Sequence, residues 1–255
     1  MMTSITNRKR ILQIMAAVVG AILLWQLAAM LIDKKILLAS PLDVFIRLTT
    51  IWTEEGFFMT LSFSFLRIVG GFFAALILGI VLGTLAGKFS LLEIILMPYM
   101  VTIKSVPVAS FVIISLIWLN SRELPIFISF LMVLPIVYTN ILNGIKSVDR
   151  QKLEMAKVFQ LSPAEKLRFI FLPHLKPFLY SALSVSLGLA WKSGVAAEVI
   201  GIPDGSLGER LYMAKVHFET VDLFAWTLII VFISVGFEKL FMYLVKLVMK
   251  KSESL

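Results

Sequence analysis

Four ionisable side chains lie inside long apolar stretches and are the first candidates for chemistry: Arg67, Lys104, Lys192 and Glu198. A charge at the middle of a membrane costs about 2.5–3.5 kcal/mol on insertion scales, so such residues usually face a protein interior or a water-filled cavity. They could form a basic lining that favours an anionic solute. They could also be structural salt bridges or side chains that reach the membrane surface, which suits Arg67 and Glu198 better.

Other site chemistry is missing from the sequence. It has no cysteine, which excludes disulfides, thiol nucleophiles and Cys-ligated metals. His174 and His217 are far apart, and neither has a second ligand at helical spacing. There is no GxxxxGK[ST] phosphate loop and no acid–base or nucleophile–base cluster. We therefore expect a chain that is not an enzyme and binds no metal or cofactor itself.

The composition indicates the environment of the chain. Of its 255 residues, 59% are hydrophobic and 16% are charged, whereas soluble domains carry about 25% charged residues. Because too few polar residues remain to cover a soluble surface, a cytosolic enzyme, a disordered chain and a secreted disulfide domain are excluded. The net charge of +8 suits anchoring on one side of a membrane better than nucleic-acid binding.

Six segments are long and apolar enough to cross about 30 Å of hydrocarbon as helices. They are 11–32, a part of 57–87, a part of 91–119, 124–145, 175–200 and 223–248. This pattern predicts an all-α, multi-pass membrane protein with a single transmembrane domain over 1–255. Most Lys and Arg residues fall on the same side as the N-terminus, many of them in 146–174, so we expect both termini in the cytoplasm.

The third of these segments is interrupted by Pro98, Lys104 and Pro107. Broken helices are tolerated where they line a cavity, so the break is a candidate wall of a transport path; a simple proline kink is the alternative. The candidate path residues are Lys104, Ser105, Pro107, Trp191, Lys192 and Glu198. Elsewhere Gly79, Gly83 and Gly87 repeat every four residues, which predicts close packing between helices.

Short helices are predicted in two outside loops. Ser40 followed by Pro41 begins an amphipathic helix over 41–53, which suits the outer membrane surface. In 201–222, Ser206 and Glu209 have the spacing of a capping box, so a short helix should follow and run to about His217.

The only long cytoplasmic loop, 146–174, has two helix starts of its own. Asp149 can cap a helix over about 150–160, and Ser162 with Glu165 forms a capping box for a second helix that should end before Pro173. Charge alone would make this loop a simple orientation signal. The caps and apolar positions instead predict a compact element that docks on another protein.

This loop resembles the "E-A-A" loop of ATP-binding-cassette (ABC) importer permeases. The residues at the positions of this motif are Glu154, Met155, Ala156, Gln160, Ile170, Leu172 and Pro173. Met155 replaces the middle Ala, and Gln160 replaces the Gly that normally supplies the turn between two short helices. Further matches at 40–44, 64–72, 188–192, 195–201 and 207–208 resemble the nitrate/sulfonate/bicarbonate (taurine-like) branch, so the resemblance covers nearly all of the chain after the first span.

The resemblance implies a MetI-like permease core over about 57–248, preceded by the extra N-terminal span 11–32. It implies two permease copies in a cell (inner) membrane, cytoplasmic ATPase subunits that use ATP and Mg²⁺ and hold the loop, and an extracytoplasmic solute-binding protein. Glu154 would contact the ATPase, and Ala156 would allow its close approach. The alternatives are an ATP-independent secondary transporter or channel and, with less support, a membrane enzyme.

Overall fold

The computed structural model describes the backbone of residues 2–251 and the side chains of 11–250, and every regular element in this range is helical. Residues 1 and 252–255 of the predicted single domain lie outside it. The helices are α1 (Met2–Ile32), α2 (Pro41–Thr50), α3 (Phe57–Lys88), α4 (Ser90–Ser105), α5 (Val108–Ser115), α6 (Leu124–Lys146), α7 (Arg150–Val158), α8 (Pro163–Lys166), α9 (Leu172–Gly201), α10 (Leu207–Val216) and α11 (Thr220–Lys251). The predicted all-α class is confirmed.

Within the described residues, five helices are long and apolar enough to span a membrane, and α4 with α5 makes a sixth if counted together. These two helices are bent by 103°. The bend lies at Val106 and Pro107, where Val106 has an extended backbone, as steric clash with a following proline favours. Pro98, by contrast, lies inside α4 and does not interrupt it. The third predicted segment is therefore broken at only one of its prolines.

The chain forms two compact units, and the larger comprises 59–209 and the chain from Val231 onward. In it α6 and α9 run antiparallel along each other, with Ser129 Oγ donating to the Ala190 carbonyl at 3.1 Å. Helix α3 lies so close to α6 that a Cβ on Gly79, Gly83 or Gly87 would be 2.7–2.9 Å from α6 side chains. The predicted glycine packing is confirmed.

The smaller unit comprises the chain up to Phe58 and Arg210–Ile230. Ser40 caps α2, as predicted, and Arg47 on α2 donates to both carboxylate oxygens of Asp222 at 2.7 Å. These hydrogen bonds raise the pKa of Arg47 above its ordinary value, so this arginine stays charged. The other face of α2 exposes Leu42, Phe45 and Ile46, which suits a membrane surface.

The second short helix of the 146–174 loop does not end before Pro173, contrary to the prediction. Helix α8 continues through a π-helical turn, Leu167–Phe171, directly into α9. Proline inside a helix removes one hydrogen bond and crowds the carbonyl four residues earlier. The wide π turn includes the carbonyl four residues before Pro173. It therefore gives the helix room to pass Pro173 without a break.

Candidate functional site

The 146–174 loop has a small hydrophobic core of its own. Val148, Ala156 and Ile170 are buried together, and Leu153 and Leu161 pack against them. The predicted caps hold both of its helices: Asp149 accepts the Gln151 N–H, and Ser162 and Glu165 form a reciprocal capping box. The loop is therefore a compact, folded element, as the two predicted caps indicated. Such an element can transmit a force.

The exposed side chains of this loop differ from those expected. Ala156 has no exposed surface, so its small size allows close packing inside the loop and not the approach of another protein. Val158 and Phe159 are instead 79% and 70% exposed, and Met155 is half exposed beside the exposed Glu154. We call Val158 and Phe159 the loop tip. Of the other matched positions, Ile170 is buried, whereas Leu172 and Pro173 are exposed.

Gln160 replaces glycine at a position that requires a left-handed backbone, with φ of +52°. The N–H of Gln160 donates to Lys157 O at 3.0 Å, and the N–H of Leu161 donates to Ala156 O at 2.9 Å. This pair of bonds is a Schellman motif, which normally has glycine at its left-handed residue. The turn between α7 and α8 is therefore retained despite the substitution.

We expect Gln160→Gly to stabilise the loop by about 1 kcal/mol, because glycine adopts the left-handed conformation without steric cost. Hydrogen exchange of the Leu161 amide measures the effect, and its protection should rise about fivefold. Gln151→Gly, in the first turn of α7, is the matched control and should lower protection in the same loop, because glycine weakens a helix. Unchanged or lower protection in Gln160→Gly would contradict the strain argument.

Lys104 lies at the end of α4, next to the bend at Pro107. Its side chain is exposed, and its Nζ donates to Thr139 Oγ1 on α6 at 2.8 Å. Thr139 in turn donates to Pro135 O at 2.6 Å. The partner of Lys104 is therefore a neutral hydroxyl, and no carboxylate of the described residues forms an ion pair with it. Ser105 and Pro107 are also exposed.

Lys192 lies at a different depth from Lys104. It is exposed on α9, two residues after Ala190, which meets Ser129 of α6. Lys104 meets Thr139, ten residues further along α6, so the two sites are separated by about 15 Å along the helix at 1.5 Å per residue. Among the described side chains, none is an ion-pair partner of Lys192.

Glu198 is fully buried and has a structural role. Its Oε2 accepts hydrogen bonds from Ser64 Oγ at 2.8 Å and from the Gly208 N–H at 3.1 Å, while Ser64 Oγ accepts from the Leu207 N–H at 2.9 Å. Because Leu207 and Gly208 begin α10, the carboxylate also lies at the positive end of that helix dipole. Glu198 thus joins α3, α9 and α10. We call this group the outer junction.

Trp191 and Arg67 are held by contacts within the chain. Trp191 is 3% exposed, and its ring lies 5.9 Å from that of Phe65. Arg67 donates from Nε to Arg122 O at 2.9 Å, and its guanidinium lies 3.5 Å above the Phe63 ring. Of the six candidate path residues, Trp191 and Glu198 therefore have buried side chains.

Sequence reasoning missed two side-chain contacts and one exposed surface. It did not identify Thr139 as the partner of Lys104, Ser64 as the partner of Glu198, or the loop tip as the exposed apolar surface. Only the last had a local signal: Val158 lies on the side of α7 opposite the face that Leu153 and Ala156 share. The other two join residues that are far apart in the chain.

The sequence of the chain matches a family of known proteins. The family described as "Binding-protein-dependent transport system inner membrane component" matches residues 75–252. The taurine transport system permease protein TauC of Escherichia coli (strain K12) is 29% identical over 187 residues, 71% of this chain and 68% of TauC.

Two cyanobacterial relatives match a shorter part. The nitrate import permease protein NrtB of Leptolyngbya laminosa is 29% identical over 149 residues, 58% of this chain and 53% of NrtB. The bicarbonate transport system permease protein CmpB of Synechocystis sp. (strain ATCC 27184 / PCC 6803 / Kazusa) is 29% identical over 148 residues, with the same 58% and 53% covered. The three names refer to transport of taurine, nitrate and bicarbonate, respectively.

Proposed function

Since the chain belongs to the family of binding-protein-dependent transport system inner membrane components, we propose that two copies of it form the path of an ATP-driven importer of small anions. The chain is a multi-pass membrane protein and the permease subunit of an ABC importer. The observation that carries the mechanism is the folded 146–174 loop with its exposed apolar tip. A secondary transporter or channel would have no need for such a rigid docking element.

The proposed orientation has both termini and the 146–174 loop in the cytoplasm of a cell with an inner membrane. The loop and its flanks carry many basic residues, which favour the cytoplasmic side. There the loop tip, with Glu154, enters a groove on a cytoplasmic ATPase subunit. An extracytoplasmic binding protein delivers the solute to the opposite face. ATP and Mg²⁺ are used by the ATPase, and this chain contributes no catalytic group.

The docking element makes mechanical sense for an importer. Closure of an ATPase dimer can move the membrane helices only through a rigid connection. The loop runs without interruption from α8 through the π turn into α9, and α9 packs along α6. A displacement of the loop therefore reaches the helix that carries Lys192.

Co-purification tests the proposed function directly. Tagged full-length chain, extracted from its native membrane in mild detergent, should bring down an ATPase subunit. Reconstituted vesicles should then take up solute only when ATP and the binding protein are both present. Uptake that persists without any ATPase would favour the secondary transporter.

The two exposed lysines support an anionic solute. A lysine facing hydrocarbon is expensive, so Lys104 and Lys192 face water or a second chain. Neither is neutralised by a carboxylate of the described residues. Their different depths would give an anion two successive positive sites along one path.

We expect Lys104→Gln and Lys192→Gln each to lower the uptake of an anionic solute about tenfold, equivalent to about 1.4 kcal/mol of lost attraction. Arginine at either site should restore part of the rate, because the charge is kept. The matched control is Lys34→Gln, an exposed lysine outside the apolar segments, which should leave uptake unchanged. Normal uptake in both span variants would remove the lysines from the path.

A further inference from the structure

A cleft of about 470 Å³ lies between the 146–174 loop and the beginning of α9. Its lining includes Lys152, Phe169, Pro173, His174, Pro177 and Phe178. This volume falls in the range of about 300–1,000 Å³ that small-molecule sites have in proteins. The wall is mostly aromatic and aliphatic, and its polar groups are concentrated in Lys152 and His174. The cleft is thus amphipathic.

The position of the cleft relative to the membrane follows from its contacts with α6. His174 Nε2 lies 2.9 Å from the hydroxyl of Ser147, the residue directly after the end of α6. Phe178 reaches one turn deeper, where it packs against Gly144 of α6. Lys152 lies on the opposite side, on α7. In the proposed orientation, the cleft therefore extends from the cytoplasmic end of α6 into the last turn of that helix.

The end of the cleft at Lys152 is positively charged. Lys152 is exposed and has no carboxylate partner among the described residues. The guanidinium of Arg168 lies 5.5 Å from the Phe169 ring, so a second basic side chain lies next to the cleft wall. Basic clefts at the cytoplasmic ends of membrane helices suit acidic headgroups.

We propose that this cleft binds an anionic phospholipid, with the headgroup phosphate at Lys152 and His174 and an acyl chain along Phe169 and Phe178. The two ends of the cleft match the two ends of such a lipid in both polarity and depth. A small free anion would occupy only the basic end and would leave the apolar wall exposed to water. The proposal rests on the proposed orientation of the chain in its membrane.

The lipid site and the proposed ATPase contact are neighbours on α7, because Met155, which also lines the cleft, follows Glu154 directly. The loop tip lies six residues beyond Lys152 on the same short helix, which separates them by about 9 Å at 1.5 Å per residue. A bound lipid at the N-terminal end of α7 would hold the loop at the membrane surface while its tip remains free. Lipid occupancy would then stiffen the element through which the ATPase moves the permease.

The test uses the full-length chain in phosphatidylcholine nanodiscs with and without phosphatidylglycerol that carries a photoactivatable group on its acyl chain. Adducts should map to peptides containing Phe169 and Phe178. Lys152→Glu should reduce this labelling about tenfold, because the reversal removes an attraction to the acidic headgroup and adds a repulsion. The matched control is Lys157→Glu, the same charge reversal on α7 outside the cleft, which should label as the wild type does.

Three results would overturn the proposal. The first is equal labelling of wild type and Lys152→Glu, and the second is equal labelling by a photoactivatable phosphatidylcholine. The third is displacement of the lipid by millimolar inorganic phosphate alone, which would identify a small-anion site. Since the assay needs neither ATP nor uptake, its failure leaves the transport function standing, and a chain that labels as expected but never binds an ATPase would refute only that function.

Discussion

Gly208→Ala should prevent stable assembly of the outer junction and abolish uptake. A Cβ at this position would lie 2.3 Å from Glu198 Cβ and 2.4 Å from the Glu198 carbonyl carbon. Because backbone atoms of α9 cannot rotate away as a flexible side chain could, α10 must separate from α9. The Glu198 carboxylate, which has no exposed surface, would then lose the Gly208 N–H and its place at the α10 N-terminus.

The cost combines overpacking with a buried carboxylate that loses a hydrogen bond, and we expect it to exceed about 3 kcal/mol. Thermal unfolding of the purified chain in detergent measures it as a lower midpoint temperature. Gly236→Ala is the matched control, because no atom lies within 4 Å of a Cβ there and alanine favours a helix. It should unfold at the wild-type temperature or slightly above.

Variants of Glu198 separate the contribution of its charge from that of its hydrogen bonds. Glu198→Gln keeps an oxygen that accepts from Ser64 and Gly208 but loses the charge, whereas Glu198→Ala loses both. We therefore expect Glu198→Gln to be the more stable of the two. If Gly208→Ala matched the wild type in unfolding and uptake, the junction would have no structural importance.

Val158→Asp combined with Phe159→Asp should uncouple the permease from its ATPase. Both side chains are largely exposed, so the substitutions should leave the fold of the chain intact. In the docked complex they would bring two unpaired charges into an apolar groove. We expect the affinity for the ATPase subunit to fall more than about a hundredfold, as loss of a central aromatic contact and burial of charge predict.

Pull-down of the ATPase by tagged permease measures this loss, and ATP-driven uptake should disappear with it. Phe218→Asp is the matched control: Phe218 is also 70% exposed but lies in the loop before α11, on the opposite side in the proposed orientation. It should bind the ATPase as the wild type does. Wild-type ATPase binding by the loop-tip variant would mean that another surface carries the contact.

Local features of the fold could be predicted because their causes are local. Ser40, Asp149 and Ser162 cap the helices expected of them, since a side-chain oxygen satisfies backbone N–H groups only two or three residues away. The bend at Pro107 follows from the backbone restriction before a proline, and the four-residue spacing of the glycines marks the face of α3 that packs closely. The continuation of α8 into α9 was not predicted, although it also depends on residues that are close in the chain. A π turn has no distinct sequence signal.

Whether an individual side chain is buried or exposed was harder to predict. Ala156 is buried and Val158 is exposed, although both are apolar and lie two residues apart in α7. The choice depends on Val148 and Ile170, which meet Ala156 only after the loop has closed on itself. A resemblance to a loop motif identifies the positions that correspond to it. It does not predict which of their side chains are buried.

By itself, the sequence determined the membrane environment, the number of apolar segments and most helix starts, and it gave an expected orientation. These features could be predicted because hydrophobicity, charge and capping act over a few residues. Only the tertiary structure decided which partners the charges in the apolar segments have. Glu198 finds Ser64 through helix packing across more than a hundred residues of chain, and Lys104 finds a neutral hydroxyl on α6. Whether a charge inside the membrane is neutralised or free depends on partners that packing alone brings within hydrogen-bond distance.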